Sequence, residues 1–216
     1  MLVNDGIVFV AGHYCSHASI PASKVYEAAN IVMISPSSTS PILTDEGGAN
    51  VFRLCGRDDQ QGEIAGDIMA DHWPDSRIAI PDDQSIYGQG LARETKKQLN
   101  KHGVTEALTL SYTPDQIDYS PLISTLQAAE IDVIYVGGYS AEVGLILRQA
   151  RNQGLDAQLT SGDAVVTEDF WLTTGAAGEG ALMTLFLDPR ETPEATSTVA
   201  EFRARGFEPE GYTLYA

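Results

Sequence analysis

Seven short apolar runs rich in β-branched residues recur along this chain, and a segment with helical spacing lies between most of them. The runs are IVFVAG (7–12), NIVMIS (30–35), RIAIPD (77–82), ALTLSY (107–112), IDVIYVGG (131–138), AQLTSG (157–162) and GALMTLFL (180–187). The helical segments are IPASKVYEAA (20–29), DDQQGEIAGDIMADHW (58–73), GQGLARETKKQLNKHG (88–103), DYSPLISTLQAAE (118–130) and AEVGLILRQARNQG (141–154). Strand and helix in alternation predict an α/β fold with parallel sheets. The runs are near-continuous rather than alternating in polarity, which is the pattern of strands covered by helices on both faces. Punctuation agrees: Gly103 and Gly154 close helices at the C-terminal end, and Asp118 or Ser120 with Pro121 starts one.

Two stretches break the alternation. TDEGGANVFRLCGRDDQQG (44–62) is a glycine-rich bend, and LDPRETPEAT (187–196) carries two prolines among charges. Each reads as a linker, which suggests more than one lobe. Residues 1–12 enter a strand with almost no lead-in, and EGYTLYA (210–216) stops as a new element begins, so the chain is expected to be a fragment truncated at both ends.

Composition narrows the partners. Thirteen basic residues against thirty acidic ones give a net charge of -17, which repels phosphate backbones and anionic headgroups and excludes nucleic acid. No apolar run approaches the roughly 20 residues that span a bilayer, and MLVNDGIVFVAG lacks a basic leader with a cleavage site. Two cysteines, Cys15 and Cys55, leave the redox compartment open.

In parallel sheets, ligands bind beyond the carboxyl ends of the strands. The segments there are HYCSHAS (13–19), PSSTSP (36–41), DDQSIYGQG (82–90), GGYSAE (137–142) and SGDAVV (161–166), rich in hydroxyls and tyrosines. Strand-end loops are polar by default, but this composition also suits a small-molecule site. His13, Cys15 and His17 invite a metal, yet a structural site wants four ligands, and His72 and His102 sit at helix ends. The same trio as a Cys/His nucleophile lacks an orienting third group. YGQGLARE has two glycines of a dinucleotide fingerprint but not the third. Asp82-Asp83 and Asp58-Asp59 read as solvated acids in a very acidic chain. No enzyme motif, metal site or cofactor loop emerges.

The phrases GHYCSHASIPASKVYEAANIVMISPSSTSP, FRLCGRDDQQG, SIYGQGLA, DYSPLISTLQAAEIDVIYVGGYSAEVGLILRQAR and SGDAV closely resemble, in order and spacing, the periplasmic leucine/isoleucine/valine-binding proteins of branched-chain amino-acid ABC importers. The resemblance covers nearly the whole chain. It implies a periplasmic binding protein-like type I fold, two lobes each with a parallel sheet flanked by helices: residues 1–57 with 188–216 as an incomplete first lobe, and residues 58–187 as the second. It further implies a monomeric, non-enzymatic, periplasmic protein that closes around an aliphatic amino acid and delivers it to permease subunits. A ligand-sensing receptor or regulator domain of the same fold is the alternative.

By motif, the resemblance assigns Ser16 to the ligand carboxylate, through its hydroxyl and backbone N–H at a helix N-terminus. Thr39 serves both carboxylate and ammonium, and Ser37 offers its backbone carbonyl to the ammonium, so that alanine could serve there equally. Asp163 stands where the family carries a carboxylate paired with the ammonium. Tyr87 and Tyr139 match aromatics of the second lobe that cover the ligand, and Tyr14 flanks the side-chain pocket. Cys15 matches a cysteine that in the family pairs with one upstream of this chain, which leaves it free here, or paired with Cys55. Ser35, Ser38 and Ser40 read as turn formers.

Overall fold

A computed structural model describes residues 6–209, 212 and 214. The chain divides into two compact units, residues 1–58 with 186–216, and residues 59–185.

In the first unit, β1 (Phe9–Ala11), β2 (Val32–Ser35) and β3 (Val51–Arg53) form a parallel sheet in that order. Helix α1 (Ser16–Ala28) joins β1 to β2, a short α2 (Ile42–Asp45) precedes β3, and α8 (Thr196–Ala204) lies in the C-terminal part. One face of the sheet is buried: Val10, Met33 and Val51 pack with Tyr26, Ile31 and Leu43. Pairing of Phe9 with Val32, Ala11 with Ile34 and Ile34 with Phe52 puts these residues on the other face, where Phe9 and Phe52 are about half exposed.

Two expectations need correcting here. The glycine-rich bend is not structureless, because VFR within it pairs with β2 from Met33↔Val51 to Ser35↔Arg53. Helix α1, with Pro21 inside it, begins at Ser16, where the resemblance puts a helix N-terminus, and not at Ile20, where the spacing pattern starts it.

The second unit holds α3 (Asp58–His72), β4 (Ile78–Asp82), α4 (Ile86–Lys101), β5 (Leu108–Ser111), α5 (Ser120–Ala128), β6 (Val133–Val136), α6 (Ser140–Asn152), β7 (Gln158–Ser161), α7 (Glu168–Thr174) and β8 (Leu182–Met183). All five strands are parallel, in the order β5-β4-β6-β7-β8. Successive side chains feed opposite cores. Ala79, Ile134, Val136 and Leu159 pack with Ile123, Leu126, Val143, Ile146 and Phe170 on one side. Ile78, Ile80, Val133 and Tyr135 pack with Met69, Leu91 and Leu99 on the other. This is the physical origin of the near-continuous apolar runs: every position of β4 and β6 is buried.

Sharp reversals end the helices. Gly103 and Gly154 take φ of +79° and +80°, the left-handed conformation that glycine adopts without steric cost. Each reversal returns the chain to its next strand, and the five parallel strands of this sheet end at one edge.

Candidate functional site

In the first unit, the segments after β1 and β2 are locked together by hydroxyls. The His13 carbonyl accepts from Ser35 Oγ at 2.7 Å, Ser38 Oγ at 3.0 Å and Ser19 Oγ at 3.2 Å. Ser19 and Ser38 hydroxyls stand 2.6 Å apart, and Ser35 Oγ in turn accepts the backbone N–H of Ser38 at 3.0 Å. Ser35 and Ser38 are therefore buried struts rather than plain turn formers. Ser37 Oγ donates to the Tyr14 carbonyl at 3.1 Å, so its hydroxyl has a structural task that alanine could not perform. Ser16 Oγ accepts the N–H of Ser40 at 3.2 Å, tying the start of α1 to the same loop.

These bonds leave particular groups unengaged. Among the described residues, the backbone N–H groups of Ser16, His17 and Thr39, the Thr39 hydroxyl and the Ser37 carbonyl have no hydrogen-bond partner. The first two are the open amides of a helix N-terminus, where partial positive charge accumulates. Thus donors and one carbonyl acceptor lie on neighbouring loops of one unit, with Ser16 and Thr39 nearly fully buried. Tyr14, by contrast, is 58% exposed. His13 turns its ring to Tyr26, with Nε2 3.0 Å from the phenolic oxygen, and Cys15 carries a free thiol.

Sequence reasoning assigned no role to Arg53, which anchors this loop. Its Nη1 donates to the carbonyls of Ser38 at 3.1 Å and Ser40 at 2.7 Å, and its Nη2 to the Thr44 hydroxyl. Burial lowers its pKa from the usual arginine value, the cost of drawing a charge toward the interior to hold neutral carbonyls. The Thr39 carbonyl accepts the N–H of Asp58 at 3.0 Å, which fixes the other side of the loop.

In the second unit, Asp163 begins a short 3-10 turn after β7 and is 7% exposed. Its Oδ1 accepts from Tyr87 Oη at 2.8 Å and from Gln61 Nε2 at 2.7 Å. The Ala164 N–H donates to Tyr87 Oη at 3.3 Å. Tyr87, in the first turn of α4, and Tyr139, just before α6, have ring centroids 5.1 Å apart at 36°. The structure thus brings Tyr87, Tyr139 and Asp163 into one cluster and adds Gln61, a second residue that sequence reasoning missed. Both Arg53 and Gln61 stand in FRLCGRDDQQG, a phrase whose match to the family was the available signal.

Glycine permits this cluster. A Cβ on Gly162 would lie 2.3 Å from Leu91 Cδ2 and 2.7 Å from Tyr87 Oη, although its φ of -91° suits any residue. Nearby, Asp82 and Asp83 prove buried rather than solvated. Asp82 accepts the Gln84 N–H at 2.9 Å and the Ser111 hydroxyl at 3.1 Å, and Asp83 accepts the Ser85 N–H at 2.9 Å. The turn that starts α4 consumes these carboxylates, and burial raises the Asp83 pKa above the usual range.

The family described as "periplasmic binding protein" matches residues 1–214. A Leu/Ile/Val-binding protein homolog 1 of Brucella melitensis is 48% identical over 212 residues, which are 98% of this chain and 57% of that protein. The chain therefore spans little more than half the length of the curated relatives it matches. Among solved structures, a leucine-binding protein of Thermotoga maritima superposes with a TM-score of 0.89 at 24% identity, over 98% of this chain and 61% of that one. An ABC transporter substrate-binding protein of Desulfitobacterium hafniense, in complex with Leu, superposes with a TM-score of 0.73 at 28% identity, over 97% of this chain and 61% of that one.

Proposed function

Since the chain belongs to the periplasmic binding protein family, we propose that it binds an aliphatic, branched-chain α-amino acid as the substrate-binding component of an ABC importer. One observation carries the proposal: the unengaged groups of the first unit are the complement of an α-amino-acid backbone. The N–H groups of Ser16, His17 and Thr39 suit a carboxylate, and the Thr39 hydroxyl and Ser37 carbonyl suit an ammonium. A zwitterion stripped of water binds well only if both ends find such partners. Asp163, in its polar cluster with Tyr87 and Tyr139, is the countercharge for the ammonium, and the tyrosines supply aromatic cover. Tyr14 contributes to the side-chain pocket. The matched relatives support the ligand class and the transport role. Delivery to permease subunits by a monomer in the periplasm belongs to the same proposal.

The test is calorimetry with leucine, isoleucine, valine and alanine, with 4-methylpentanoate as a leucine lacking its ammonium. Asp163→Ala should weaken leucine by about 2 kcal/mol or more, some thirtyfold, because a buried ammonium loses a charged acceptor. The loss should be much smaller for 4-methylpentanoate, which has no ammonium to pair. Failure of all four amino acids to bind the correctly folded protein would overturn the assignment.

A further inference from the structure

We propose that Gln61 is a positioning residue for ligand binding, whose carboxamide sets the Asp163 carboxylate and ties it to both segments where the chain passes between its units. The inference rests on the assignment of Asp163 to the ligand ammonium. Gln61 is 2% exposed, and 102 residues separate it from Asp163. Its Nε2 donates to Asp163 Oδ1 at 2.7 Å, and its Oε1 accepts the Asp163 backbone N–H at 3.1 Å. One planar amide therefore grips both the main chain and the side chain of Asp163 and fixes the carboxylate rotamer.

The same Oε1 accepts the Thr184 hydroxyl at 2.7 Å. Gln61 lies close behind Asp59, where the chain enters the second unit, and Thr184 immediately precedes Leu185, where it leaves. Three residues distant in sequence thus share one carboxamide, and a pull on the Asp163 carboxylate is felt at both connecting segments through short bonds. The site needs glutamine for this. Glutamate has no N–H to offer a carboxylate, and asparagine is one methylene too short to reach the same partners. Ordering the carboxylate in advance removes the entropy that a mobile side chain would lose on binding.

The experiment is a double-mutant cycle on the full chain, read by calorimetry with leucine and paired with thermal unfolding. Gln61→Met should weaken leucine about tenfold when Asp163 is present, the loss of one charge-assisted hydrogen bond. In the Asp163→Ala background, measured at millimolar leucine, the same substitution should change affinity by less than about twofold, because the group it positions is gone. Thr184→Val, which removes only the donor into Oε1, should give a smaller loss with the same dependence on Asp163, and Thr184→Ser should restore wild-type affinity. Equal losses in both backgrounds would mean a merely structural role and would overturn the inference while leaving the ligand assignment intact. No binding by the wild-type protein would overturn both. If Gln61→Met unfolds, the threonine pair decides by the same criterion.

Discussion

Replacing Arg53 by methionine isolates what shapes the loop that follows β2. Methionine keeps most of the aliphatic stem but removes the donors that reach the Ser38 carbonyl at 3.1 Å, the Ser40 carbonyl at 2.7 Å and the Thr44 hydroxyl. A hydrogen bond from a charged donor is worth about 1.5–3 kcal/mol. The three do not add, because the Ser40 carbonyl keeps the Leu43 N–H at 3.2 Å and because burying the guanidinium already carries a desolvation cost. A net loss of about 2 kcal/mol remains, or roughly thirtyfold in the equilibrium between closed and open loop. Hydrogen exchange should report it as a comparable drop in protection of the amides between residues 36 and 41, and leucine affinity should fall in parallel. Arg53→Lys keeps the charge but is a point donor that cannot span three acceptors, so it should fall between the two. Protection and affinity both within about threefold of wild type for the methionine variant would refute the argument.

Two further outcomes follow from the second unit. Gly162→Ala places a methyl 2.3 Å from Leu91 Cδ2 and 2.7 Å from Tyr87 Oη, so it should destabilise by about 1–3 kcal/mol and weaken ligand binding by displacing the Tyr87–Asp163 bond; urea denaturation and calorimetry check both. Asp83 has a folded-state pKa raised by burial, so its ionisation penalises the native state as pH rises through the interval above the unfolded value, and the penalty is absent below it. Asp83→Asn, which can still accept the Ser85 N–H, should therefore raise the melting temperature at pH 7 and leave it unchanged in strong acid.

The layered α/β architecture is legible in the sequence because both faces of the second sheet are buried, and continuous runs such as IDVIYVGG advertise it. Elements defined by distant partners are not. The three residues of β3 sit among glycines, and only their pairing with Met33–Ser35 makes them a strand. The opening of α1 hides because serines and histidines after a strand look like loop, whereas in the structure Ser16 and Ser19 bind the neighbouring loop rather than water. α7 and α8 are short and weakly patterned. The strand-end segments that carry the candidate ligand groups can be located from the sequence, and motif resemblance proposes their individual roles. What neither supplies is support: Arg53 and Gln61 act through carbonyls and a carboxylate brought near by folding, and local spacing holds no trace of such contacts. The acids Asp82 and Asp83 show the converse error, since average charge says solvated while a tight turn demands buried acceptors.

The unengaged amides around Ser16 and Thr39 bear on an apparent contradiction, that a chain of net charge -17 should be proposed to take up a carboxylate. Arg53, the cation bonded to this loop, is spent on carbonyls of the protein itself. In the proposed site the anion would therefore meet fixed peptide dipoles, short in range and little screened by the ionic atmosphere outside. A zwitterion has no net charge for the acidic surface to repel. The protein's exterior is thus free to vary in charge for reasons of solubility or partner choice, while the interior keeps a dielectric of its own.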